Sequence, residues 1–505
     1  MRETVIQNGR IRGIPCGWPS ITVFYGIPYA KPPVGENRWR APLPLEERWD
    51  GVRDCARAGA KCPQLGVGPG SFYEKEFYPY AEPQSEDCLY LNVWTPAQEE
   101  SENLPVLFWV HGGAFMTGYG HSAHFDGEHF ARQGIIVVTV NYRLNIFGWL
   151  THSDLDRESE HGVSGNFGLL DQIAALRWVR ENIGAFGGDP EKITIAGQSA
   201  GAASIQALLT SPLTKGMYRG AILQSGGGPI PFMDLAFPAL RETEALCDLT
   251  QLGVSSIKEA RALSADELSK RWINLFLQEA KEGRRPALND RNPVVDGYVL
   301  PVSPEEAIFT GKTEDIPVLI GYTDREGLPL ARDRQDLERI IRRDFGEKGN
   351  FYLDLCPLDG PDFKAYQDKM TTETAQSAAE LYAETRQEQG KGDTYVYVLN
   401  RKLPGDDMGP FHAADLWYVF RTLMRAWRPW EAEDYMLAYA CNTYWANFIK
   451  NGTPNGDRQP ALPEWTPYTK EKPETLSLDR VIKMHERKRN ARIVQRKRDL
   501  YGLYR

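Results

Sequence analysis

The sequence predicts an α/β protein with one large, mostly parallel and twisted sheet that carries helices on both faces. Five short apolar runs lack polar alternation, which is typical of strands buried on both faces. The runs span residues 104–111, 134–141, 192–197, 220–224 and 316–322. Between the second and third runs, an apolar stripe from Leu169 to Ile183 predicts a helix. Strands and helices that alternate in this way build a doubly wound sheet through right-handed crossovers.

The chain is expected to form a single domain over residues 1–505, because no repeat, low-complexity tract or clear linker interrupts it. Short β-rich segments at residues 20–25 and 87–94 precede the apolar runs. Two polar-rich segments with a helical pattern, about 232–290 and 331–390, are predicted to be insertions that form a lid or a gorge wall.

Composition argues against several classes of protein. Hydrophobic residues make up 42% of the chain and charged residues 25%, as expected of a globular protein with a sizeable core. The net charge of −9 disfavours nucleic acid as a partner, because phosphates attract positive surfaces. No apolar stretch reaches the roughly 18 residues of a membrane span. The N-terminus lacks a secretory apolar segment, so a cytoplasmic address is expected for the chain as given.

One cluster of residues has side chains of the types that bind metal ions. His121, His124 and His129 lie close in the sequence to Asp126 and Glu128, but no HExxH spacing occurs. The seven cysteines include no CxxC pair that would hold zinc. We interpret the cluster as a surface loop and expect neither a metal nor a cofactor.

The G-x-S-x-G pattern at residues 197–201 is the first sign of chemistry. An apolar, β-branched run precedes Ser199 and an alanine-rich helical run follows it, which places this serine in a sharp strand-to-helix turn. In such a turn the hydroxyl is exposed and can attack a carbonyl carbon. The alternative is an ordinary Gly/Ser turn that only joins a strand to a helix.

A serine nucleophile needs a base, and the order of the chain selects one histidine. Hydrolases with this turn place the acid and then the histidine after the serine. Six of the eight histidines precede Ser199, which leaves His412 and His485. His485 lies among cations typical of a solvated face, whereas His412 lies in a Gly/Pro loop before an aromatic helical segment. His412 is therefore the predicted base.

The acid is expected after the apolar run at 316–322 and before His412. Asp324 and Glu326 both lie there, at the carboxyl end where open α/β sheets place their chemistry. Glu326 is preferred, but spacing alone leaves Asp324 open, and a solvated charged turn is the third interpretation.

A tetrahedral intermediate also needs hydrogen-bond donors for its oxyanion. The segment His111-Gly112-Gly113-Ala114-Phe115 follows a strand, and its small residues let backbone N–H groups turn inward. Gly113, Ala114 and Ala200 are the expected donors. A phosphate-binding loop is excluded because no G-K-[ST] follows.

With these motifs, the chain resembles the type-B carboxylesterase family of α/β-hydrolases, the branch that contains the cholinesterases. The resemblance covers nearly the whole chain and includes FYGIPYAKPPVGENRWRAP, SEDCLYLNVWTP, WVHGGAF, NYRLNIFGWL, GNFGLLDQ, GQSAGA, GYTDREG and GPFHAADL. It implies the α/β-hydrolase fold, a catalytic triad of Ser199, Glu326 and His412, and an oxyanion hole at Gly113, Ala114 and Ala200. The resemblance thus selects the glutamate over Asp324.

The resemblance also implies one disulfide and two ion pairs, and the chain departs from the family at two positions. A disulfide would join Cys62 to Cys88, and ion pairs that support the fold would join Arg38 to Glu86 and Arg143 to Asp171. The family often has glycine where Ala114 stands and glutamate where Asp415 stands, so both loops are expected to be slightly reshaped.

The resulting function is that of a serine carboxylesterase, a hydrolase that acts through an acyl-enzyme intermediate. Aromatic residues are expected either to wall an apolar gorge for an uncharged or aromatic small-molecule ester, or to pack in the core. These residues are Phe72, Tyr73, Phe77, Tyr78, Tyr80, Phe232, Phe237, Trp272 and Phe276. The alternatives are a non-catalytic adhesion or binding protein on the same scaffold, and an amidase, thioesterase or lactonase with the same triad.

The C-terminal segment 483–505 is strongly basic, with nine cations against two acids. It is interpreted as the exposed face of a closing helix, with binding to an anionic surface as the alternative.

Overall fold

The computed structural model describes residues 2–66, 70–78, 80–229, 248–282, 292–327, 363–456 and 462–502, with a few positions between 333 and 342. The strands are β1 Glu3–Ile6, β2 Gly9–Arg12, β3 Ile14–Pro15, β4 Thr22–Pro28, β5 Val52–Asp54, β6 Tyr90–Thr95, β7 Leu104–Val110, β8 Ile136–Val140, β9 Gly188–Gln198, β10 Gly220–Gln224, β11 Val318–Thr323, β12 Thr394–Leu399, β13 Glu474–Leu478 and β14 Lys483–Glu486. The α-helices are Phe72–Phe77, Glu128–Ala131, Asn145–Trp149, Ser153–Glu158, Phe167–Asn182, Ala200–Thr210, Ile257–Ala262, Ala265–Glu282, Pro304–Phe309, Phe363–Glu388, Asp415–Val419, Ala432–Asn451 and Ala491–Gly502.

Among these residues, eleven strands form one sheet in the order β14-β13-β12-β11-β10-β9-β7-β8-β6-β4-β3. The pairs from β13 across to β8 are parallel, and the pairs at both edges are antiparallel. Strands β1, β2 and β5 form a separate three-stranded sheet. The predicted large, mostly parallel sheet with helices on both faces is confirmed.

Both faces of the central strands are buried, which explains their continuous apolar runs. In β7, Val106, Phe108 and Val110 enter one hydrophobic cluster, while Leu107 and Trp109 enter the other. The first cluster contains side chains of the helices Phe167–Asn182 and Ala200–Thr210, and the second those of Asp415–Val419 and Ala432–Asn451. Each such buried apolar side chain contributes about 1.5–3 kcal/mol relative to an exposed one.

The five apolar runs correspond to β7, β8, β9, β10 and β11, and the predicted amphipathic helix to Phe167–Asn182. This helix is followed by a short 3-10 turn that ends at Gly187, whose φ of 81° suits glycine. A Cβ on Gly187 would lie 2.4 Å from the Cβ of Ala97, so the chain turns here against a close neighbour.

The predicted helical insertions and the predicted C-terminal helix agree only in part with the structure. The helix Phe363–Glu388 packs against β11 and β12, so it covers the sheet. Residues 230–247, 283–291 and 343–362 lie outside the described residues, so the single-domain assignment and the lid role of both insertions stay predictions. Residues 483–486 form strand β14, and the expected closing helix starts only at Ala491.

No helix within the described ranges combines the length and the apolar character needed to cross a membrane. The cytoplasmic address stays a prediction from the sequence.

Two buried ion pairs tie the connections to the sheet, as predicted. Nε and Nη2 of Arg38 bond the two carboxylate oxygens of Glu86, each at 2.6 Å. Nε and Nη2 of Arg143 bond Asp171 at 2.8 and 2.7 Å, and the backbone N–H of Arg143 also donates to this carboxylate. Because both partners are buried, removing one charge leaves the other without compensation.

We therefore expect Asp171→Asn to lower the free energy of unfolding by about 3–5 kcal/mol. The control is Arg157→Gln, which breaks an exposed pair with Asp154 and should change it by less than about 1 kcal/mol. Urea unfolding followed by tryptophan fluorescence measures both. Equal midpoints for the two variants would show that the buried ion pair contributes no more to the free energy of unfolding than the exposed pair.

Candidate active site

The three predicted catalytic residues follow neighbouring strands of the sheet. Ser199 directly follows β9, Glu326 lies three residues after the end of β11, and His412 lies in the loop between β12 and the helix Asp415–Val419. Strands β9, β10, β11 and β12 are adjacent and parallel. Their carboxyl ends therefore share one edge of the sheet, where loops can bring the side chains together.

Ser199 occupies a strained turn between β9 and the helix Ala200–Thr210. Its φ of 58° and ψ of −127° are unfavourable for a residue with a side chain. A Cβ on Gly197 would lie 2.4 Å from the carbonyl carbon of Gly201, and a Cβ on Gly201 would lie 2.1 Å from the oxygen of Val110. The N–H of Ser199 donates to the carbonyl of Gln224 at 2.8 Å. Both glycines of the motif are therefore required by close packing.

His412 and Glu326 form a hydrogen-bonded pair beside this turn. Nδ1 of His412 bonds Oε2 of Glu326, while Oε1 accepts from the N–H of Thr323 at 2.7 Å. The side chains are 16% and 4% exposed. Burial opposes the charged form of each group, but the attraction and hydrogen bond between them outweigh it. The pKa of Glu326 is lowered and the pKa of His412 is raised.

Asp324, the competing acid, points elsewhere. Its Oδ1 accepts from Nη2 of Arg487 at 2.7 Å, next to strand β14. The structure thus brings Glu326 to the histidine and Asp324 to the C-terminal segment. Arg489 likewise pairs with Glu380 and Glu384, so part of the basic charge of this segment is balanced within the chain.

Arg325 joins the acid loop to the histidine loop, a role that sequence analysis missed. Its Nη1 donates to the carbonyls of Asp407 and Met408, both at 2.9 Å, and its Nε donates to Asp368 at 2.9 Å. A charged residue between two candidate acids carries no sequence signal for this contact, since its partners lie 82 and 83 positions away.

The second missed residue is Gln198, the last residue of β9. Its Nε2 donates to Nε2 of His412 at 3.2 Å. The Nδ1 of the same ring faces the carboxylate, so Nε2 carries the lone pair that accepts from this amide, next to Ser199 in the chain. The motif marks this position only as x, which left its role undetermined.

The predicted oxyanion loop lies directly against Ser199. A Cβ on Gly112 would lie 3.0 Å from the Cβ of Ser199. Gly113, Ala114 and Phe115 all have positive φ, at 116°, 55° and 60°. Within the described part of the chain, the N–H groups of Gly113 and Ala114 donate to no protein group, and Ala200 is the first residue of its helix. The three expected donors are thus not used by the rest of the fold.

Buried contacts hold the loop in this conformation. The carbonyl of Gly113 accepts from the N–H groups of Met116 and Thr117 at 2.9 and 3.0 Å. His111 packs below it, stacked on Tyr142 with 4.5 Å between ring centroids. Burial lowers the pKa of His111 to about 4, so this ring is neutral at physiological pH.

The predicted wall aromatics divide between the site and the core. The helix Phe72–Phe77 covers the histidine loop, with the ring of Phe72 4.8 Å from that of Phe411 and the hydroxyl of Tyr73 donating to the carbonyl of His412 at 3.4 Å. Trp272 is buried in the core, and Tyr80 is 74% exposed. Phe232 and Phe237 lie outside the described residues.

The helix that carries these aromatics is fixed by a buried carboxylate. Glu76 accepts from Nε1 of Trp417 at 2.8 Å, from Nε1 of Trp427 at 2.9 Å and from Nε of Arg428 at 2.9 Å. Both Glu76 and Arg428 have fully buried side chains. This pair attaches the covering helix to the segment that follows His412.

The histidine cluster is not a surface loop, and that interpretation is wrong. His124, Asp126 and Glu128 are buried, because the segment packs under the covering helix and Trp417. Burial lowers the pKa of His121 and His129 to about 4 and that of His124 to about 3. Among the described residues, no group of three His, Cys, Asp or Glu side chains could hold a metal ion.

Asp415, which stands where the family often has glutamate, is the first residue of the helix Asp415–Val419. Its Oδ2 accepts from the hydroxyl of Tyr397 at 2.6 Å and from Nε2 of Gln224 at 2.8 Å. Burial raises the pKa of this carboxyl group.

Cys62 and Cys88 are both buried thiols in the structure and lie in hydrogen-bond contact. That hydrogen bond and burial raise the pKa of Cys88. A disulfide between them stays a prediction.

Comparison with known proteins identifies the family of the chain. The carboxylesterase family profile matches residues 2–354 and 361–495. The para-nitrobenzyl esterase of Bacillus subtilis is 35% identical over 491 residues, 94% of this chain and 94% of that protein. The fumonisin B1 esterase of Sphingopyxis macrogoltabida is 40% identical over 337 residues, 66% of this chain and 58% of that protein. A solved PNB esterase structure matches at 32% identity with a TM-score of 0.80 and covers 99% of both chains.

The fold and the relatives define the class of protein: an α/β-hydrolase that hydrolyses carboxylic esters. The chain belongs to the carboxylesterase family. Its substrate is a small-molecule ester, and relatives matched over most of their length are named esterases, which argues against the binding-protein alternative.

The strain at Ser199 predicts an unusual order of stability. Ser199→Gly should be more stable than Ser199→Ala by about 1 kcal/mol, because glycine tolerates positive φ and alanine does not. The matched control is Ser159, whose φ is −80°, where the alanine variant should be the more stable or equal. Urea midpoints of the four variants give the answer. The same order at both sites would show that Ser199 is unstrained.

Proposed function

We propose that the chain is a serine carboxylesterase in which Ser199 is the nucleophile, His412 the general base and acid, and Glu326 the residue that orients the imidazole. The observation that carries the proposal is the position of the His412 ring. Its Nδ1 bonds Glu326, while its Nε2 lies 3.2 Å from the side chain of Gln198, the residue next to Ser199. A Ser-His-acid triad needs the acid on Nδ1 and the serine hydroxyl within reach of Nε2, and these two contacts of the ring support that arrangement.

The reaction proceeds in two halves. Ser199 Oγ attacks the ester carbonyl carbon while Nε2 of His412 takes the hydroxyl proton, and the tetrahedral intermediate collapses when the alcohol leaves with that proton. Water then attacks the acyl-enzyme, again through His412, and the acid is released as Ser199 recovers its proton. Glu326 keeps Nδ1 protonated and stabilises the imidazolium that forms in each half.

The N–H groups of Gly113, Ala114 and Ala200 stabilise the negative oxygen of both intermediates. Their support comes from the loop geometry, since two of them are not used by the fold and the third lies at a helix N-terminus that favours negative charge. A single such donor typically contributes about 10²–10³ in turnover.

The aromatic residues beside the histidine loop favour an uncharged or aromatic ester. Phe72 and Tyr73 are half-buried and pack on Phe411 in the loop that holds His412, so this side of the site is aromatic. Ring faces bind apolar groups and bind free carboxylates poorly. The names of the relatives agree with an aromatic ester in one case, para-nitrobenzyl, and leave room for a different ester in the other.

Substitution of the triad tests the proposal directly. Ser199→Ala should abolish release of p-nitrophenol from p-nitrophenyl butyrate, and Glu326→Gln should lower kcat by about 10³–10⁴. The matched control is Asp324→Asn, two residues away, which should stay within about twofold of the parent because its carboxylate faces Arg487. A fully active Ser199→Ala variant, or greater loss in Asp324→Asn than in Glu326→Gln, would refute the assignment.

The pH dependence of kcat/KM provides an independent check. Only neutral His412 can accept a proton, so activity falls as pH drops through its pKa. Glu326 raises that pKa, and the acidic limb should therefore lie above the ordinary imidazole value of about 6.5. Removing the charge in Glu326→Gln lowers the pKa of His412. The acidic limb of the residual activity should therefore shift to lower pH by about one unit or more. Asp324→Asn should leave the acidic limb at the pH of the parent. A limb that moved in Asp324→Asn and not in Glu326→Gln would exclude Glu326 as the acid that pairs with His412.

A further inference from the structure

The side chain of Gln198 forms a hydrogen bond with His412, the proposed base. The residue is buried at the end of β9, and its Nε2 donates to Nε2 of His412 at 3.2 Å. A Cβ on Gly112 would lie 3.0 Å from its Oε1, so the amide fills the space between the imidazole and the oxyanion loop.

The chemistry of the ring explains why an amide suits this position. With Nδ1 bonded to Glu326, the neutral imidazole offers a lone pair at Nε2, and only a hydrogen-bond donor can bind it. A protonated ring offers an N–H at the same place and needs an acceptor. An amide carries a donor and an acceptor that exchange places by a half-turn, whereas a carboxylate would bind only the protonated ring.

Of the titratable groups that face His412, the two carboxylates favour the protonated ring, whereas burial raises the pKa of Tyr73, so its hydroxyl is neutral. Glu326 lies on the acid loop, Asp415 on the helix that follows the histidine, and Tyr73 on the covering helix. Arg325 and Arg428, on neighbouring segments, are paired with Asp368 and Glu76. A third acid at position 198 would favour protonation further, but the neutral amide opposes it.

We propose that Gln198 is a positioning residue for the esterase reaction: its amide binds Nε2 of resting His412, keeps the ring aimed at Ser199, and gives up that nitrogen to the serine hydroxyl when the ester binds. The inference rests on the proposed role of His412. It assigns to the variable position of the G-x-S-x-G motif a function that the motif does not specify.

Two isosteric variants separate the functions of the amide. Gln198→Glu keeps only acceptors at neutral pH, and it should move the acidic limb of kcat/KM upward by about one unit or more, since a carboxylate stabilises the imidazolium. Activity should then fall about tenfold more at pH 6 than at pH 9. Gln198→Met keeps the volume without hydrogen bonds, and it should lower kcat/KM at the high-pH plateau by about tenfold through poorer orientation of the ring.

The control is Gln251→Glu, which adds the same charge at an exposed turn and should leave profile and plateau unchanged. Circular dichroism and urea midpoints establish that each variant is folded, and Gln198→Met decides alone if the buried carboxylate of Gln198→Glu prevents folding. Acidic limbs within about 0.2 units of the parent together with an unchanged plateau would overturn the role of Gln198. An active Ser199→Ala variant would instead overturn the proposed reaction, so the two failures are distinguishable.

Discussion

The hydrogen bond between Nδ1 of His412 and the carboxylate of Glu326 is the contact on which the geometry of the site depends. It fixes which ring nitrogen carries the proton and directs the other toward the end of β9, where Gln198 and Ser199 lie. Both side chains are largely buried, so water screens their attraction little, and the pKa of Glu326 is lowered and that of His412 raised although burial opposes both charges. Neither residue could keep this orientation on a mobile loop.

Several contacts restrict the loops that hold this pair. Thr323 donates to the second oxygen of Glu326, Arg325 bridges to the histidine loop, and the covering helix packs its aromatic rings on Phe411. The Glu76–Arg428 pair then fixes the covering helix from the other side. The loops at the carboxyl edge are thus held by hydrogen bonds and packing to the rigid sheet, which is what a reaction that depends on sub-ångström orientation requires.

Backbone strain is concentrated at the same edge. Ser199, Ala114 and Phe115 all adopt positive φ, a conformation that costs on the order of 1–3 kcal/mol for a residue with a side chain. The surrounding core makes this conformation possible, because β7, β9 and β10 are buried on both faces and cannot relax to relieve it. The strain lies at the residues that the proposed reaction uses as oxyanion donors and nucleophile.

The sequence by itself predicted the central strands, the sharp turn that holds Ser199 and the loop that holds His412. Strands covered on both faces need continuous apolar runs, and the glycines around Ser199 are demanded by contacts of 2.1 to 2.4 Å that no side chain could occupy. His412 followed from the order of the chain. Strands β12, β13 and β14 were not predicted. Polar residues in β13 and β14 give a weak pattern, whereas β12 is buried along its whole length and lies inside the sheet.

Only the tertiary structure placed Glu326 against the ring and turned Asp324 toward Arg487, since two carboxylates two positions apart look alike in a sequence. It also revealed Gln198 and Arg325, whose partners lie far along the chain, and it buried the histidine cluster that looked like a surface loop. Local patterns determine what a segment can form, but which side chain reaches which partner depends on how the loops from β9, β11 and β12 converge. That convergence is a property of the sheet as a whole.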